Sequence, residues 1–330
     1  MNYKKQLNIS FSVVRAFAVL SIVSAHVTIE SPEWVSRMIN SFGSIGVIIF
    51  IILSGYFYHT EKYSSVFAML RDKAKSVVIP WIVMGSLTYL YNAAAGSGFN
   101  IKNWLLWIIG YKTFLYYLTM LILCYLIFFK RNRATIYASF LITLASVYFT
   151  AFGVLDSAVE ALHITNYLNI FNWVGYFAFG CLMQEFGHEN IFKFLSKTKY
   201  IFVGVFVLCY VLICVFDIRT GYFSYVGLPY QLLGATAMAG ISTVNVFDKK
   251  IIHNISNMTF GVYLLHMPIV GLFDRVYNIT AVTKLFAPMI VTVICLIILY
   301  VGYWISNSIK LNKLYAIATG VRLDRNIKEK

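Results

Sequence analysis

Two residues of one apolar run carry chemistry that lipid does not accept without cause. Arg15 and His26 bracket the stretch Arg-Ala-Phe-Ala-Val-Leu-Ser-Ile-Val-Ser-Ala-His, and everything between them is apolar or small. A guanidinium is a permanent cation whose planar fork grips phosphate and carboxylate. An imidazole takes up and releases a proton near pH 7. On an α-helix eleven residues turn about 1100°, within about 20° of three whole turns. Both side chains therefore share one face, about 16 Å apart along the axis. Ionisable groups inside a span are costly and usually face the bundle interior or a water-filled cavity. The alternative is that Arg15 snorkels to the inner headgroups and His26 ends the span at the outer interface.

The elements that hold this pair are membrane helices. Of 330 residues, 60% are hydrophobic and 12% charged, against about 25% charged in soluble domains. Spans of about 20 apolar residues cross a bilayer as helices, because lipid cannot satisfy exposed backbone groups. Ten segments qualify: 8–28, 43–59, 77–95, 113–129, 134–153, 169–186, 200–216, 225–245, 257–273 and 286–307. They predict an all-α polytopic integral membrane protein of about ten transmembrane helices, a single domain followed by a basic tail over 308–330. The stretch from Asn103 to Trp107 reads as an interfacial or re-entrant piece ahead of the fourth span. No Ala-x-Ala-like site follows the first run, so that run reads as a retained span rather than a cleaved leader.

The net charge of +14 is explained by topology. With the N-terminus in the cytoplasm, the outer loops hold only Arg37, Lys102, Arg219, Arg275 and Lys284, and most other Lys and Arg residues fall on the cytoplasmic side. This positive-inside asymmetry predicts both termini in the cytoplasm and needs no nucleic acid partner. All five cysteines lie in apolar runs without metal-ligand spacing. The six histidines include no i,i+4 pair and no nearby carboxylate set, so no metal site is expected. No internal repeat is visible, which weakens a transporter built from duplicated halves.

Several stretches, in order along residues 8 to 273, resemble the membrane acyltransferase 3 family. Arg15-x10-His26 is similar to its first-span signature. Gly46-Val-Ile-Ile-Phe-Ile-Ile-Leu-Ser54-Gly55-Tyr56 resembles its second helix. Phe67 through Arg71, Lys73, Lys75 and Pro80-Trp81 resembles the basic loop entering the third. Tyr176-Phe-Ala-Phe-Gly180 and the run from Ser256 through Gly261, Tyr263 and His266 to Pro268 resemble its middle and late motifs. Two departures stand out. The loop pattern Arg-x-x-Arg is broken in Arg71-Asp72-Lys73-Ala74-Lys75. The family's His-x-Trp-Phe/Tyr is replaced by Phe114-Leu115-Tyr116-Tyr117.

The resemblance implies ten spans and transfer of an acyl group, usually acetyl from acetyl-CoA, to a hydroxyl of a cell-envelope glycan. The implied setting is the lipid bilayer of a bacterial inner membrane. In that frame Arg15 meets the phosphate-bearing end or the arm of acetyl-CoA, with Arg71 and Lys75 as further phosphate contacts. His26 is the expected general base, since attack on a thioester needs a hydroxyl losing its proton; transient acylation of His26 is the second possibility. Glu30, four residues on, either orients the imidazole or is a solvated loop residue, because Ser31-Pro32 favours leaving the helix. Tyr116 and Tyr117 offer a sugar platform or belong to the interfacial aromatic belt. His266 is either a substrate contact or a buried structural residue. The rival class is an exporter of a glycan or lipid intermediate that uses the same polar face as its pathway.

Overall fold

A computed structural model describes residues 3–27, 33–244, 250–276 and 281–322. Among them there is no strand, and fifteen α-helices follow one another: α1 (Tyr3–Ser24), α2 (Glu33–Gly43), α3 (Gly46–Tyr56), α4 (Val66–Lys73), α5 (Ile79–Asn92), α6 (Ile101–Ile108), α7 (Tyr116–Ile127), α8 (Arg133–Ala151), α9 (Asp156–Ala161), α10 (Val174–Phe186), α11 (His188–Val215), α12 (Gly227–Ile241), α13 (Lys250–Val276), α14 (Ala281–Ser308) and α15 (Asn312–Thr319). Each of the ten apolar segments falls on one of these helices. Six described stretches are long and apolar enough to cross a membrane: Glu33–Tyr56, Val66–Gly96, Arg133–Ala151, His188–Val215, Lys250–Arg275 and Lys284–Ser308. The segments 8–28, 113–129, 169–186 and 225–245 centre on the shorter described helices of α1, α7, α10 and α12. The re-entrant candidate around Asn103 is the separate eight-residue helix α6.

Polar caps set several helix starts. Asn132 accepts a hydrogen bond from Thr135 N at 2.8 Å, Asn100 from Asn103 N at 3.1 Å and Ser65 from Ala68 N at 3.1 Å, each satisfying an otherwise orphaned amide. Between α4 and α5 the chain does not break. It passes through a π turn over Ala74–Val78, which inserts an extra residue into the helical register.

α1 lies at the centre. Val14, Ala18 and Ile22 face one apolar core, shared with α3, α7 and α10. Val19, Val23 and Val27 face a second, shared with α2, α13 and α14. A helix apolar all round is a buried helix, and Ala18, Val19 and Val23 are fully enclosed. α3 is equally apolar and reaches its neighbours at glycines. A Cβ on Gly46 would lie 2.4 Å from Ala18 O on α1. At the α3–α10 crossing, a Cβ on Gly55 would lie 2.1 Å from Phe177 O, and one on Gly180 would lie 2.0 Å from Ile52 O. The motif glycines are thus contact points where backbones touch. At the other extreme α11 presents most of its length outward, with Ile201, Leu208, Leu212 and Val215 exposed, as a lipid-facing helix would.

Candidate active site

Burial of α1 decides where its two ionisable residues go. Arg15 opens into a cavity of about 470 Å³, and His26 into another of about 790 Å³. Both cavities share Tyr263, on α13, as a lining residue. Its hydroxyl donates to Phe114 O at 2.5 Å, and its ring meets those of Phe114 and Tyr117 edge-on, with centroids 5.7 and 5.4 Å away. Tyr263 is therefore the partition between the two chambers.

The Arg15 chamber is cationic. Arg15, Lys62, Lys73 and Arg322 line it, with His59, Asn257 and the hydroxyl residues Ser54, Ser76, Ser256 and Thr259. No Asp or Glu is among its lining residues. The guanidinium carbon of Arg15 sits 5.1 Å from the centroid of Phe57. Lys73 Nζ lies 4.3 Å from the ring centroid of Tyr125, with Tyr58 and Tyr63 at 5.8 and 5.9 Å. Such rings hold an ammonium in place through their negative faces. Asp72 stands 3.9 Å from Lys73 and accepts a hydrogen bond from Tyr63 at 2.7 Å. Burial, and after it the bond to Asp72, pushes the Tyr63 phenol well above its usual range. Ser256 Oγ is buried with no hydrogen-bond partner among the described residues. The arrangement gathers four cationic side chains and several hydroxyls around one cavity.

The His26 chamber is aromatic and polar. Trp107, Tyr116, Tyr167, Tyr222 and Phe223 line it, alongside Lys112, Thr113, Thr165 and Asn166. Tyr116 packs on Tyr167 and Trp173, with centroids 4.8 and 5.3 Å away. Thr165 Oγ1 and Asn166 Oδ1 are buried without a hydrogen-bond partner among the described residues. Buried polar atoms are normally paired, so these two stand out as unsatisfied acceptors. Burial raises the pKa of the Tyr167 phenol.

His26 follows the last turn of α1, its amide bonded to Val23 O at 3.0 Å. Its ring lies 5.1 Å from that of His266, centroid to centroid. His266 is fully buried. Its Nδ1 donates to Tyr263 O at 2.6 Å; its Nε2 has no partner among the described residues. A donor at Nδ1 fixes the neutral tautomer that leaves a lone pair on Nε2. Phe114 closes the other side of His266, edge-on at 5.2 Å. So the position where the resemblance expected a histidine does touch the site, as an aromatic wall.

Other expected residues are placed differently. Arg71 and Lys75 are exposed and do not line the cationic chamber; Lys73 does. The expectation for Arg71 and Lys75 rested on the family's Arg-x-x-Arg loop pattern, which this run breaks, and the fold turns the intervening Lys73 to the chamber. Tyr116 and Tyr117 part company, Tyr116 lining the His26 chamber and Tyr117 the Arg15 chamber. His266 lines neither and stands behind His26 instead. Glu30 lies outside the described residues. Arg322, Lys62 and His59 carry no local signal of a site and Tyr263 only that of a motif residue, because only long-range packing brings them to the chambers. The described residues hold no group of three or more His, Cys, Asp and Glu side chains able to hold a metal ion.

A chamber lined by four cations and a chamber lined by His26 thus meet at Tyr263. The acyltransferase 3 family, described as an acyltransferase domain, matches residues 8–307, and the chain belongs to it. The resemblance carried by the motifs is thereby borne out, and the exporter reading is not favoured. No curated protein and no solved structure matches the chain.

Proposed function

We propose that this membrane acyltransferase moves an acetyl group from acetyl-CoA to a hydroxyl of a cell-envelope polysaccharide or its lipid-linked precursor, in a bacterial inner membrane. The observation that carries the reading is the junction at Tyr263 of a carboxylate-free cationic chamber with the chamber of His26. Lys62 and Lys73 come from the loop, and Arg322 from the tail, that the positive-inside pattern assigns to the cytoplasm. Acetyl-CoA is cytoplasmic, and its phosphates suit Arg15, Lys62, Lys73 and Arg322. The pantetheine arm then runs along α1 toward Tyr263, a path comparable in length to the roughly 16 Å between Arg15 and His26 on a helix.

On the other side, the ring faces of Tyr116, Tyr167 and Tyr222 and the unpartnered atoms of Thr165 and Asn166 suit an acceptor of many hydroxyls. His26 takes the proton of the attacking hydroxyl as its oxygen bonds to the thioester carbonyl carbon. The carbon–sulfur bond breaks, the sulfur leaves as the CoA thiolate, and the imidazolium returns the proton to it. An ester and free CoA result. His266 positions His26 and disfavours a second nearby cation, since two imidazolium rings with centroids 5.1 Å apart repel.

The test uses membrane vesicles with wild type, Arg15→Ala or His26→Ala, radiolabelled acetyl-CoA and an envelope glycan fraction. Label enters the glycan with wild type and is lost in both variants that still insert. Wild-type transfer by His26→Ala removes the base role. Absence of CoA-dependent label with every glycan fraction tried overturns the donor assignment.

A further inference from the structure

The cationic chamber is completed from the far end of the chain. By sequence, Arg322 belongs to a solvated basic tail, yet the structure ties its backbone to the bundle at successive points. α15 packs on α5 and α14, and Tyr315 donates its hydroxyl to Leu299 O at 2.9 Å. Gly320 then turns the chain with φ of +72°, a conformation that favours glycine. A Cβ there would also lie 2.3 Å from Cδ1 of Phe260, a lining residue of the chamber. Val321 inserts into the core of α1, α2, α13 and α14. Finally the amide of Arg322 donates to the carbonyl of Asn257, itself a lining residue, at 2.9 Å.

The charge pattern says what such a strap is for. Arg15 from α1, Lys62 from the loop after α3, Lys73 from α4 and Arg322 line one cavity. Among the described residues, Lys73 alone of the four has an ion pair, with Asp72 at 3.9 Å. Four cations gathered in one cavity repel, and a multiply charged anion reverses the sign of that term. A strap serving only to anchor the tail would gain nothing by adding another positive charge here.

We propose that residues 320–322 form a strap that carries Arg322 onto the phosphates of the acyl donor, so that the C-terminal segment is part of the donor site. Anion binding and strap docking then reinforce each other, as linkage requires. The inference rests on reading the cationic chamber as the donor site.

The test is binding of CoA without acyl group or acceptor to the full-length protein in lipid nanodiscs, measured by isothermal titration. Arg322→Gln raises Kd about tenfold to a hundredfold, the loss expected for one charge-assisted contact, and Arg322→Lys restores part of it. Gly320→Ala keeps every charge but disfavours the turn, and it also weakens binding. Lys193→Gln, exposed on α11 and outside the chamber, binds as wild type. In wild type, saturating CoA slows tryptic cleavage after Arg322. Equal CoA affinity in wild type and Arg322→Gln overturns the strap and leaves the donor site standing. Wild-type affinity in Gly320→Ala, or no tryptic protection, also overturns the strap. No CoA binding by wild type overturns both readings.

Discussion

Gly180→Ala is the smallest change that tests whether the glycines hold this bundle together. The new methyl would stand 2.0 Å from Ile52 O and 2.8 Å from Tyr56 N, both backbone atoms of α3. Real Cβ atoms almost never approach within 3.0 Å, so the two helices must separate by about 1 Å. No side-chain rotation relieves the clash. Overpacking of a well-filled core costs about 1–3 kcal/mol, and a backbone-to-backbone clash belongs at the upper end. The helix propensity of alanine returns about 0.5–1 kcal/mol, leaving a net loss of about 2 kcal/mol. Gly204→Ala on α11 is the matched control, since a Cβ there meets nothing within 4 Å and only the propensity gain remains. The assay is thermal inactivation of detergent-solubilised protein followed by size-exclusion chromatography. Gly180→Ala melts several degrees below wild type, and Gly204→Ala at or above it. Because α3 supplies Phe50, Leu53 and Ser54 to the cationic chamber, Gly180→Ala also weakens CoA binding. Equal melting temperatures for the two variants would refute the contact-point argument.

Three further predictions concern the chambers. Lys73→Gln raises the KM for the acyl donor about tenfold or more, whereas Lys75→Gln leaves it near wild type; initial rates at varied acetyl-CoA check both. Tyr116→Ala raises the KM for the glycan acceptor and leaves that for the donor unchanged, while Tyr117→Ala does the reverse, because the two rings line different chambers. His266→Phe, which fills the buried site but removes the Nε2 lone pair, lowers kcat about a hundredfold with little change in either KM. A change confined to KM in that variant would assign His266 to substrate contact instead.

Much of this architecture was legible from local patterns. Hydropathy is a property of consecutive residues, so the ten apolar segments each found a helix. The helical period predicts one face for Arg15 and His26, whereas α1 ends at Ser24 and His26 follows it in a turn. The motif glycines at 46, 55 and 180 were visible, though not what they touch. Motif matching failed where this chain departs from the family's loop pattern: it pointed to Arg71 and Lys75, whereas the fold brings Lys73 to the chamber. The two adjacent tyrosines could not be separated by sequence either, since which chamber each faces depends on helices outside α7.

The amino-acid sequence by itself determined that the chain is helical and membrane-embedded, with an arginine and a histidine in its first apolar run. It also carried the family's motifs. Each of these is local, written in composition, period or spacing along a few turns. Tertiary structure decided the rest: that α1 is central, so that its charged face looks into cavities rather than lipid; that His266 comes to lie beside His26; that Tyr263 divides two chambers; and that Arg322 folds back onto Asn257. Those pairings join residues far apart in the chain. They are set by which helix faces close together most tightly, and no local pattern records that.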